Sequence, residues 1–212
     1  MARRTTLRLL AAGTGCCLAL MGLRHQLGGH AQLYLAWNLL LAWAPVGFAL
    51  AASRSSTLIR WPLGVAWLLF LPNAPYLLTD LFVHHPHLGS RFLWLDLGLL
   101  SLASMIGIAL GVVALRVMHE RVADRLGHAA GWMFAVVVAL ASAFGIYLGR
   151  VLRWNSWNAI THPTDVARDS AARLLHPDVH PLAYAGTIAF FLFFIAVYAL
   201  SSARVGSAPR GA

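Results

Sequence analysis

The stretch AAGWMFAVVVALASAFGIYL, Ala129–Leu148, carries no charged side chain. A helix rises about 1.5 Å per residue, so a run of this length reaches across the roughly 30 Å hydrocarbon layer of a bilayer. Working outward, five more apolar segments fit the same description: Leu7–Leu23, Leu33–Ala52, Trp61–Leu78, Phe92–Val117 and Leu182–Leu200. The last of these is also free of charge. The third is irregular, because Pro72, Asn73 and Pro75 fall inside it. Proline removes a backbone donor and frees carbonyls that something else must satisfy, so this segment is expected to be kinked, broken or re-entrant.

Composition agrees. The 212 residues are 59% hydrophobic and 11% charged, with a mean hydropathy of +0.70, whereas soluble domains carry about 25% charged residues. The expected fold is therefore all-α: a polytopic transmembrane helix bundle of about six spans, forming a single membrane domain over residues 1–212. Net charge is +9, yet the basic residues punctuate apolar runs instead of forming a stripe, which argues against a nucleic-acid partner. All the basic residues are Arg and none is Lys, so an Arg at any one site is weak evidence that a guanidinium is needed there. Cys16 and Cys17 are adjacent within the first apolar run. That excludes an intramolecular disulfide framework, a CxxC pair and a Cys-based zinc site.

Basic residues in short loops set orientation. With the N-terminus cytoplasmic, Arg3, Arg4, Arg8, Arg54, Arg60, Arg116, Arg121, Arg125, Arg204 and Arg210 lie inside. Arg24, Arg91, Arg150, Arg153, Arg168 and Arg173 then lie outside. The majority inside predicts that both termini are cytoplasmic. The first segment reads as an uncleaved anchor, since no A-x-A-like site follows it. The extracytoplasmic loop 149–181 is expected to carry a short surface helix, with Thr164 as its N-cap and Leu175 near its end.

Most of the acids and histidines fall on the outer side in this topology, which is where chemistry is to be sought. On the third span Asn73, Tyr76 and Asp80 share one helical face by their spacing. Asp96 opens the fourth span. If the fifth helix continues past Arg150, then Arg150, Arg153 and Trp157 align on one side.

The strings LPNAPYLLTD (Leu71–Asp80) and GIYLGRVLRWNSWN (Gly145–Asn158) resemble the two signature stretches of a bacterial and archaeal membrane-protein family known as domain of unknown function 1361. The resemblance extends over most of the chain. It implies a polytopic protein of the bacterial inner membrane and marks Asn73, Pro75, Tyr76, Asp80, Arg150, Arg153, Trp154, Asn155 and Trp157 as motif positions. It implies no reaction and no cofactor. Leu95 stands before Asp96 where the family pattern tends to have Tyr, so no phenol is assigned there.

An ionised group near hydrocarbon costs up to about 2.5–3.5 kcal/mol at mid-span and therefore finds a partner or a wet cavity. The expectation is that the third, fourth and fifth helices meet at their outer ends, with an Asp–Arg pair among Asp80, Asp96, Arg150 and Arg153 and support from Asn73 and Tyr76. Simple packing, or snorkelling into headgroups, is the plain alternative. Arg150, Arg153 and Trp154 could also grip a phosphate or carboxylate. The expected function is a multi-pass membrane protein with a polar pocket at the extracytoplasmic edge, binding an anionic lipid headgroup, a lipid-linked ligand or a small solute. Two alternatives stand beside it: a hydrolase or transferase acting on a lipid-linked substrate, and a membrane scaffold.

His84, His85 and His87 follow Asp80 and could supply metal ligands, but Pro86 breaks their helical spacing, and a solvated loop is the preferred reading. Haem between helices is set aside, because each His is placed in a loop or at a span edge. Gly107-x-x-x-Gly111 and Gly145-x-x-x-Gly149 permit close helix contact, either internally or in an oligomer.

Overall fold

The computed structural model describes residues 2–27, 33–83, 91–176 and 178–206. The described residues form helices and no strand: α1 (Ala2–Gln26), α2 (Leu33–Arg54), α3 (Thr57–Phe70), α4 (Asn73–Val83), α5 (Leu93–Leu126), α6 (His128–Val151), α7 (Asn158–Thr161), α8 (Pro163–Leu175) and α9 (Pro181–Gly206). Among them, six helices are long and apolar enough to cross a membrane, with α3 and α4 together making the third. This is the all-α membrane bundle that the apolar runs predict.

The third span is broken. α3 ends at Phe70, and α4 restarts at Asn73 after the turn Leu71–Pro72. The break follows from proline chemistry, since neither Pro72 nor Pro75 can donate to a helical carbonyl. Some of the backbone demand is met locally: the Tyr76 amide donates to the Pro72 carbonyl at 3.0 Å, and the Ala74 amide to Leu71 at 3.2 Å.

α5 is the centre of the bundle and packs against α1, α2, α4, α6 and α9. The sequence places the end of its span near Val117, but the helix runs on to Leu126. The physical reason is that Arg116, Glu120 and their neighbours end an apolar run without breaking a helix. Only Gly127, with φ of 92°, turns the chain, and this one residue joins α5 to α6. A positive φ suits glycine because it has no Cβ to clash. The longer α5 also corrects the placement of the histidines: His119 is buried within the helix at 7% exposure and hydrogen-bonds the Tyr198 hydroxyl at 2.6 Å.

Both small-residue motifs are used inside the chain. A Cβ on Gly107 would stand 2.4 Å from the Ala74 carbonyl oxygen, and one on Gly111 would stand 3.3 Å from Pro75. On the other side, a Cβ on Gly145 would stand 2.6 Å from Pro72, and one on Gly149 would stand 3.4 Å from Tyr76. The first turns of α4 are thus held between bare strips of α5 and α6, and the proline-rich segment fits because those strips have no side chains. Close approach through small residues is the usual means by which helices associate in lipid.

Candidate functional site

Gripping α4 this way fixes the next turn of the same helix. Asp80, 1% exposed, receives Arg150 of α6 at 2.6 Å and the Asn38 amide of α2 at 3.3 Å. The Arg150 Nε donates to the Thr79 hydroxyl at 2.8 Å, and its Nη2 also reaches that oxygen. The guanidinium lies 4.1 Å over the Tyr76 ring. Cation, carboxylate, hydroxyl and aromatic face therefore form one saturated cluster joining α2, α4 and α6. Such completeness is what a buried pair requires, because the loss of solvation is offset only when the remaining polar atoms are also satisfied.

Asp96 belongs elsewhere. Arg24 of α1 clamps it through Nε at 2.7 Å and Nη2 at 3.1 Å, and the Arg24 guanidinium rests 4.1 Å over Phe92. The expected meeting of the third, fourth and fifth helices around one Asp–Arg pair thus becomes two separate pairs. The reason is that α1 packs along α5 and brings to the first turn of α5 an Arg that the sequence had left in a loop.

The alignment of Arg150, Arg153 and Trp157 does not form either, because α6 stops at Val151. Arg153 takes the left-handed conformation, φ 60°, and the Trp154 amide turns back to the Leu148 carbonyl at 3.2 Å. Left-handed backbone is strained for a residue with a Cβ and persists where its surroundings hold it. Those surroundings are visible in the following segment. The Trp154 indole donates to Asp169 of α8 at 2.8 Å, the Asn155 backbone N–H donates to the Asn158 Oδ1 at 2.7 Å, and the Ser156 hydroxyl accepts from the Asn73 side-chain amide at 2.8 Å. The expected surface helix is α8, but it starts two residues earlier than predicted: His162 is the N-cap and Pro163 the first helical residue, a position where the missing proline donor is harmless. Thr164 therefore lies inside the helix.

Between α2, the broken third span, α6 and this returning segment is a cavity of about 330 Å³. Its polar lining includes Asn38, Asn73, Tyr76, Trp154, Asn155 and Ser156, with Phe144 and Leu148 among the apolar residues. Four predicted residues thus converge: Asn73, Tyr76, Trp154 and Asn155. Asp80 and Arg150 form the cluster next to the Tyr76 ring, whereas Asp96, Arg153 and Trp157 are not part of this wall. Arg153 and Trp157 are exposed. Sequence reading missed Asn38, Thr79, Ser156 and Asp169. Asn38 carried a usable signal, an amide stranded in an apolar span; the others became visible only through the break in α3–α4 and the reversal at Arg153.

His84, His85 and His87 lie outside the described residues. Among the described residues, no group of three or more His, Cys, Asp or Glu side chains is placed to hold a metal ion.

Residues 37–200 match the family described as protein of unknown function (DUF1361), a range that contains both signature stretches and every wall residue of the cavity. No curated protein and no solved structure matches the chain. With most of its length and its whole candidate site inside that match, the chain is a multi-pass membrane protein that belongs to the DUF1361 family.

Proposed function

We propose that the cavity is a binding site, at the extracytoplasmic edge of the membrane, for a small polar solute or the polar head of a lipid. Asn73, Tyr76, Trp154 and Asn155 contact the ligand. Asp80 and Arg150 hold Tyr76 and the ends of α4 and α6 in place. One observation carries the reading: both signature stretches contribute polar side chains to the same cavity wall. A volume of about 330 Å³ suits a small molecule, near the lower end of the roughly 300–1,000 Å³ of ligand pockets.

The lining sets these polar groups against a larger apolar surface and contains no charged side chain. Its polar part therefore recognises hydroxyl, amide or ether groups through dipoles. This arrangement favours binding over acid–base catalysis. Asp80 and Asp96 are each held by a guanidinium, whereas a general base must be able to take up a proton from substrate.

Native mass spectrometry of protein extracted in mild detergent tests the proposal. A solute or lipid should remain bound to the wild type and be lost on Asn155→Ala and Tyr76→Phe, with folded yield unchanged. Absence of any retained species, or retention indifferent to both substitutions, rejects it.

A further inference from the structure

A second cavity, of about 510 Å³, lies on the other side of Phe144 and Ala141, between α6 and α9 and under the end of α8. Its wall is almost wholly apolar, with Val137, Leu140 and Phe144 from α6 and Ile188 from α9. Val137 to Phe144 covers about 10 Å along the helix axis, so the space is a groove that follows the span. Besides Tyr184, whose hydroxyl is engaged elsewhere, two residues with polar groups line it, Arg173 at its mouth and Thr187 within. Thr187 is buried and Arg173 half-buried, its side chain 17% exposed, and each has one polar atom unpartnered among the described residues. Thr187 is 9% exposed with its hydroxyl oxygen unpartnered among the described residues, and the Arg173 Nε is likewise unpartnered.

Arg173 is also held in position. Its Nη1 donates to Asp169, to the carbonyl at 3.2 Å and to the carboxylate at 3.3 Å, and the Tyr184 hydroxyl donates to the neighbouring Leu174 carbonyl at 2.8 Å. The end of α8 is thereby tied to α9, with a guanidinium above the groove. Of the seven buried side-chain atoms left unpartnered among the described residues, two belong to residues lining this one groove, and each such atom needs an explanation. The complement to an apolar groove between two spans, a hydroxyl donor part-way down and a cation at the mouth is an amphiphile: hydrocarbon chain, ester carbonyl and anionic head, in that order. A peptide does not fit, because the deeper wall offers its backbone amides no partners.

We propose that this groove binds one acyl chain of an anionic glycerophospholipid from the surrounding bilayer, with the phosphate on Arg173 and the chain's ester carbonyl on the Thr187 hydroxyl. The site is separate from the polar cavity, and the two are linked by one side chain: Asp169 accepts Trp154 on one carboxylate oxygen and Arg173 on the other. A lipid that competes for Arg173 therefore acts on the residue that anchors Trp154.

The full-length protein, equilibrated in detergent with equal amounts of phosphatidylglycerol and phosphatidylcholine of identical chains, is read by native mass spectrometry. The wild type should retain one phosphatidylglycerol in about fivefold excess or more, as one basic residue beside an anionic headgroup provides. Arg173→Gln should bring the ratio near unity, and Arg173→Lys should keep most of it. Leu140→Trp, which fills the groove from a lipid-facing position, should lower retention of both lipids. If Arg173→Gln does not fold, Thr187→Val preserves side-chain shape and should still reduce retained lipid severalfold. Equal retention of the two lipids by the wild type, an unchanged ratio in Arg173→Gln, or undiminished retention in Leu140→Trp or Thr187→Val overturns the proposal.

Discussion

Removing the charge of Asp80 without changing its shape, as in Asp80→Asn, leaves the Arg150 guanidinium facing Thr79, Tyr76 and an amide. Two unit charges about 4 Å apart at an effective dielectric near 20 attract by about 4 kcal/mol. Much of that offsets the loss of water around a carboxylate 1% exposed and a guanidinium 19% exposed, so the pair adds little net stability compared with an apolar pair of the same size. Breaking it from one side is different, because the remaining ion keeps its desolvation penalty and loses its counter-charge, at about 3–5 kcal/mol. Thr79 and the Tyr76 face retain some hold on Arg150, so about 3 kcal/mol is expected for Asp80→Asn and a similar loss for Arg150→Gln. The double substitution leaves no orphaned ion and should cost about as much as either single one, giving a coupling of about 2–3 kcal/mol. Reversible unfolding in mixed detergent micelles, followed by tryptophan fluorescence, measures all four corners of the cycle. Losses that add to within about 0.5 kcal/mol would show that the two residues act independently and that the cluster does not hold the site.

Gly107→Ala places a methyl group 2.4 Å from the backbone oxygen of Ala74, which cannot move aside, and should cost about 1–3 kcal/mol by overpacking; Gly15→Ala, with open space around it, is the matched control, and equal unfolding midpoints for the two would contradict the close fit of α4 on α5. Arg24→Gln should destabilise the protein by removing both contacts to Asp96, whereas Arg24 together with Asp96→Asn should recover part of the loss; a thermal midpoint unmoved by Arg24→Gln would mean that α1 is not anchored there. For topology, a cysteine introduced at Ser90 should react with an impermeant thiol reagent in intact cells and one at Ser207 only after permeabilisation, and same-side labelling would contradict the predicted arrangement of spans.

The spans were legible because their signal is additive: a run such as Ala129–Leu148 needs no knowledge of its neighbours. The break at Leu71–Pro72 was legible for the same reason, as proline acts on its own backbone. Pairing was not. Asp96 and Arg150 both sit at span ends on the expected outer side, and spacing alone cannot tell which acid meets which base; that depends on α1 lying along α5, a packing choice made by small and apolar residues far from either charge. The turn at Arg153 was hidden because a left-handed arginine carries no compositional mark, unlike the glycine at Gly127. The cavity follows from these two features, and so only part of its wall was foreseen.

Asp80 and Arg150 are separated by 70 positions, and the chain is made from one end. At roughly 5–20 residues per second, the ribosome takes several seconds or more to supply the base after it has supplied the acid. For that interval the segment bearing LPNAPYLLTD stands at the insertion site with its carboxylate ahead of its guanidinium, and the glycine strips that will hold it are still being translated. A hairpin joined by a single residue then arrives with both strips and the arginine together, so that biogenesis of the site is timed by delivery of α5 and α6 as one unit.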